Sequence, residues 1–144
     1  MTHADAKDYR AKHPPGAEAD LHIASALKPK ISNGGVSCAA AHTIAADLQV
    51  PPQQVGQSID LLNLRIKKCQ LGLFGYHPQK RIVEPAQNVS AQLAEALREG
   101  VENGRIPCLT VWQIADRFKI ARLQAAAACE ALELKVAPCQ LGAF

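Results

Sequence analysis

The chain has 144 residues, 48% of them apolar but only 4% aromatic, and a formal net charge of +3. That length allows one domain or two small ones. The charge is mildly basic and permits nucleic-acid binding without requiring it. No run of about 18 apolar residues is present, which argues against a membrane-spanning helix. The start, Met1 to His13, lacks the apolar core of a secretory signal, so a cytoplasmic protein is expected. There the five cysteines are expected as thiols, metal ligands or redox groups rather than structural disulfides.

In chain order, residues 1–16 read as a flexible tail closed by His13-Pro14-Pro15-Gly16. A first unit spans 17–76, a linker with Pro78 and Pro85 spans 77–88, and a second unit spans 89–144. The units are copies. A shift of 70 residues superposes them without a gap, and 16 of the 55 positions from 20 to 74 are identical. Small units of this kind bury only about 60% of their unfolded surface, so the copies are expected to pack together as one compact unit or against a second chain.

Each copy opens on an apolar stripe at helical spacing: Ile23, Leu27 and Ile31, then Leu93, Leu97 and Val101. Ser90 suits an N-cap. Both stripes end in Asn-Gly (Asn33-Gly34, Asn103-Gly104), residues that tolerate positive φ and suit a helix end followed by a turn. A lone Val36 or Ile106 follows, then Ser37-Cys38 or Pro107-Cys108, where serine suits an N-cap and proline a first turn. Second helices are expected at 38–48 and 108–118, and third helices at 52–63 and 122–133. Alternating Leu64, Ile66 and Leu134, Val136 predict a short extended segment. Both copies close on Cys-Gln-Leu-Gly-x-Phe, at 69–74 and 139–144. Helix packing alone does not account for this repeated ending.

The middle of each copy places Ile44, Ala45, Leu48, Val50, Val55 and Ile59 opposite Ile114, Ala115, Phe118, Ile120, Ala125 and Cys129. This pattern suits two helices crossing around a tight turn, with a small alanine under the crossing. It resembles the helix-turn-helix and winged-helix superfamily, in two tandem copies. The turn glycine common in such motifs is Gln49 or Lys119 here, and the wing is short. The resemblance implies a mainly α fold of two tandem winged-helix-like repeats. It further implies a non-enzymatic, DNA-associated regulatory module with DNA as partner. The alternative is a protein-interaction adaptor, with a protein partner or a homodimer and a cysteine-based redox or metal switch.

In the DNA-binding version the third helix enters the major groove. Gln53, Gln54, Gln57 and Ser58 are then the base-facing candidates, and Arg65, Lys67 and Lys68 the phosphate-facing ones. The second copy offers Arg117, Lys119 and Arg122, but four alanines follow on its third helix and Lys67-Lys68 has become Ala137-Pro138.

Four cysteines obey the repeat: Cys38 with Cys108, and Cys69 with Cys139. In a winged helix the residue before helix two lies beside the segment after helix three, so Val36 and Ile66 are expected as neighbours. That brings each cysteine pair together, across a pseudo-twofold from the other pair. Core packing, a redox-sensitive thiol pair, and a four-cysteine site for zinc or an iron–sulfur cluster all remain open. No CxxC or CxxH spacing marks a metal site. No cofactor is otherwise implied: no phosphate loop, nucleophile elbow or catalytic carboxylate pair is present. Asp47 and Asp60 lie on different expected helices, and His3, His13, His22 and His77 show no ligand spacing. His42 and Trp112 share a repeat position and are expected as half-buried aromatics at the seam between copies.

Overall fold

The computed structural model describes residues 8–144. The first copy contains α1 (Leu21–Leu27), β1 (Gly35–Ser37), α2 (Cys38–Leu48), α3 (Pro52–Leu61) and β2 (Arg65–Lys67). The second contains α4 (Ala91–Glu99), α5 (Cys108–Phe118) and α6 (Arg122–Ala131). The fold is mainly helical, and one core joins Ile23, Leu27, Val55 and Ile59 of the first copy to Leu97, Val111, Ala125 and Cys129 of the second. Among the described residues no helix is long and apolar enough to cross a membrane.

The local chemistry explains the element ends. The Ser37 side chain accepts from Ala40 N–H and the Ser90 side chain from Leu93 N–H, so both serve as N-caps. Helices α2 and α5 end at Gln49 and Lys119, both left-handed with φ 55° and 57°. The turn therefore adopts the glycine-like conformation without the glycine. The Asn-Gly pairs do not cap helices. Asn33 and Gly34 have φ 48° and 74°, Asn103 and Gly104 have φ 52° and 80°, and Ser32 with Gly35 and Glu102 with Arg105 exchange both backbone hydrogen bonds across them. These are two-residue turns with positive φ at both central positions, which suit Asn-Gly.

The expected neighbours are neighbours. Strand β1 runs parallel to β2 with Val36 opposite Ile66, and Ile106 bridges Val136 in the same parallel sense. Among the described residues the sheet has only these two strands. No antiparallel wing follows β2. The chain turns at once into the Cys-Gln-Leu-Gly-x-Phe ending.

Residues expected as a flexible tail behave otherwise over 8–16, while 1–7, including His3, lie outside the described residues. Tyr9 is buried, and its N–H donates to Asn63 Oδ1 at 3.0 Å. A 3-10 turn, Tyr9–Lys12, carries Lys12 and His13 to Asp60, at 3.1 and 2.9 Å. A carboxylate that is 2% exposed requires such partners, and this requirement fixes the segment. The linker also packs: Ile82 and Val83 N–H donate to Gly72 O, Ala86 N–H donates to Ala127 O, and Arg81 pairs with Glu130.

Candidate nucleic-acid interface

The repeated ending builds the seam on which every candidate surface depends. In each copy the cysteine N–H donates to the phenylalanine carbonyl (Cys69 to Phe74, 3.1 Å; Cys139 to Phe144, 2.9 Å) and the glycine N–H donates back to the cysteine carbonyl. Gly72 and Gly142 hold φ 74° and 79°, which glycine adopts without strain. The closed loop presents its leucine inward: Leu71 and Leu141 are buried.

Each loop crosses to the other copy. The Leu141 carbonyl lies against α3, so close to Gly56 that a Cβ there would sit 1.8 Å from its oxygen. In the opposite direction Gln70 Oε1 accepts from Arg122 Nη1 at 3.3 Å, and Leu123 covers Gly72. Equivalent positions also touch. Phe74 and Phe144 meet edge-to-face at 5.7 Å, and His42 and Trp112 lie 4.3 Å apart. Contact of like with like, plus reciprocal contact of unlike residues, is the mark of a twofold relation. The His42–Trp112 pair is thus at the seam, as its shared repeat position suggested. Burial, with Arg122 adding to it, pushes the His42 pKa down to about 4.

The candidate DNA-facing residues separate on this frame. Gln53, Gln54 and Gln57 are exposed on α3. They line a cleft of about 540 Å³ with Lys12, His13, Asp60, Leu141 and Gly142. Ser58 does not belong with them. It is 3% exposed, and its hydroxyl accepts from Asp20 N–H at 3.3 Å. Arg122 is also withdrawn: its guanidinium stacks 3.6 Å from the Trp112 ring centroid while it donates to Gln70. Arg65 and Lys68 are exposed, whereas Lys67 reaches back to donate to Ser32 O at 2.5 Å. Arg117 lies over Phe118, and Lys119 is exposed at the turn.

Spacing could not reveal that the surface extends to Lys28 and Lys30. They sit in a 3-10 turn, Lys28–Lys30, just before the Ser32 carbonyl that Lys67 reaches. Of the five cations of 17–76, Arg65 and Lys67 lie on β2, Lys68 directly follows it, and Lys28 and Lys30 lie in the turn that precedes Ser32. The corresponding stretch of the second copy mixes Arg98, Arg105 and Lys135 with Glu99, Glu102 and Glu133. That alternation cancels the charge.

Cys38 and Cys108 begin α2 and α5, and Cys69 and Cys139 begin the crossing loops. All are free thiols, and Cys129 is buried in the core. Burial pushes the Cys38 and Cys108 thiols up to about 12, with neighbouring thiols adding to the effect, and also raises Cys69. Among the described residues no group of three or more His, Cys, Asp or Glu side chains is placed to hold a single metal ion. Of the readings left open for the four repeated cysteines, a zinc site with all four around one ion is therefore not assembled among the described residues.

No family model, no curated protein and no solved structure matches the chain.

Proposed function

We propose that the protein is a non-enzymatic, DNA-associated regulatory module built from two winged-helix-like units. In this reading the first copy faces the nucleic acid and the second braces it. One observation carries the reading: Arg65, Lys67 and Lys68 lie on and directly after β2, next to an α3 whose exposed face offers Gln53, Gln54 and Gln57. Clustered cations neutralise phosphates, and each phosphate contact releases counterions. Glutamine can pair with adenine through two hydrogen bonds.

Arg65, Lys68, Lys28 and Lys30 take the phosphate contacts, and Lys67 orders the turn through Ser32. Ser58 and Arg122 are not part of the surface, because both are engaged inside the fold. Arg117 and Lys119 contribute weakly from the second copy. A duplex mobility-shift assay at about 50 mM salt tests this reading, since phosphate binding is strongest at low salt. The expected result is retardation that fades as salt rises. No retardation at that salt, for duplexes of random sequence, contradicts it.

A second reading has its own support. The crossing loop and the 8–16 segment together cover part of α3, which suits an adaptor that displays other faces to a protein partner. Unchanged mobility of every duplex, together with a stable protein complex, would favour it.

A further inference from the structure

The geometry points to Cys38, Cys69, Cys108 and Cys139 as the ligands of a two-iron, two-sulfide cluster held across the seam, two thiolates from each copy to each iron. This goes beyond the nucleic-acid reading and does not depend on it.

The argument begins with placement. The four cysteines occupy equivalent positions in the two copies, and the seam brings the copies together around a twofold relation, with Phe74 against Phe144. Cys38 and Cys108 each open an 11-residue helix, where unpaired N–H groups and the helix dipole favour negative charge. Cys69 and Cys139 each open a closed loop whose backbone N–H groups turn toward sulfur. Leu141 N–H donates to Cys139 Sγ at 3.4 Å, and the Gln140 side-chain amide donates to Cys108 Sγ at 3.4 Å. In the first copy the Gln70 N–H faces the Cys38 sulfur, and the Leu71, Leu73 and Phe74 N–H groups face the Cys69 sulfur. Donors converging on sulfur are what a buried thiolate cluster needs, and they tune its potential. Protonated thiols, as weak acceptors, need them little.

Two further observations select the occupant. Each of the six pairs among these thiols lies within electrostatic reach, yet among the described residues no three ligating side chains are set to share one ion. A single zinc ion demands four sulfurs about 2.3 Å from one point. A two-iron cluster demands only two at each iron, with the pairs set apart. A twofold seam supplies that division, one Cys38-type and one Cys69-type thiol per copy. Cys38, Cys69 and Cys108 are buried and Cys139 is partly exposed, and Leu71, Phe74, Leu141 and Ala143 of the same two loops are buried. In binding, the four thiols displace four exogenous thiolates from a preassembled two-iron, two-sulfide core: four Fe–S bonds to cysteine form, four to the leaving thiolates break, and the four protons pass to those thiolates. No electron is transferred in that step.

The test is anaerobic reconstitution of the full chain with ferrous and ferric iron and sulfide, followed by iron and sulfide analysis. The expected result is two irons and two sulfides per chain, visible charge-transfer absorption, and an EPR signal after one-electron reduction. Cys38→Ser, Cys69→Ser, Cys108→Ser and Cys139→Ser each lose most of that loading, whereas Cys129→Ser, outside the set, keeps it. Should the serine variants fail to fold, native mass spectrometry of the wild-type chain decides. An adduct of the two-iron, two-sulfide core less four protons supports the assignment. One bound zinc, no adduct, or undiminished loading in folded Cys38→Ser and Cys139→Ser overturns it.

Discussion

Gly56 and Ala126 are repeat partners with different freedom. At Gly56 the Leu141 carbonyl leaves no room for a Cβ, so Gly56→Ala must push the crossing loop away. Overpacking of this kind costs about 1–3 kcal/mol, and a thermal melt should show the corresponding loss. A Tm equal to wild type would mean that the loop does not press on α3. His42 provides a pH handle. Its folded pKa of about 4 lies below the ordinary 6.5, so the unfolded chain binds more protons between these values. The stabilising contribution is complete above pH 6.5 and fades as pH falls toward 4. After a discount for partial exposure it is worth roughly 1–2 kcal/mol. His42→Phe, which keeps a ring against Trp112, should flatten the rise of Tm across that window. An unchanged pH profile would remove His42 as its source.

The helices were legible in the sequence because their signals are local. Residues 38–48 and 108–118 were read to the residue, since Ser37-Cys38 and Pro107-Cys108 mark the starts. The third helices end at Leu61 and Ala131, two residues short of the expectation, where Asn63 and Glu133 turn to positive φ. What spacing could not show was which elements cross between copies. The repeated ending was visible as a motif, but its role depends on a partner 70 positions away in the repeat. Ser58 shows the same limit: on a helical wheel it shares the face of Gln54 and Gln57, yet Asp20 claims it. The 8–16 segment was missed because its anchor, Asp60, lies far along the chain. Removing that anchor tests the element. Asp60→Asn keeps the shape but loses the ion pairs to Lys12 and His13, so trypsin should cut after Arg10 and Lys12 several-fold faster, because proteolysis follows local opening. A cleavage rate equal to wild type would show that contacts other than these ion pairs, such as buried Tyr9 and the Lys12 bond to Gly142 O, hold the segment.

At the scale of the molecule, one core serves both copies. Leu141 and Phe144 of the second pack on Gly56 and Phe74 of the first, and Trp112 shares its face with His42. Residues 89–144 alone would expose that face and, at such a size, bury only about 60% of their unfolded surface. The isolated segment should show no cooperative melt by circular dichroism, while the full chain melts in one transition. Separate transitions in the full chain would make the copies independent. The same interlock leaves the copies unequal on the outside: one sets Arg65, Lys67 and Lys68 on and after β2, and the other has Lys135 with Ala137 and Pro138 there and glutamates nearby. The salt dependence of duplex binding tests this asymmetry most directly. Each phosphate contact contributes about 0.9 to the slope of log K against log salt. Arg65→Ala with Lys68→Ala should therefore lower the slope by about 2, while Arg117→Ala with Lys119→Ala should change it by less than about half that. Equal slopes for the two double variants, or no binding by the wild-type chain, would contradict the account.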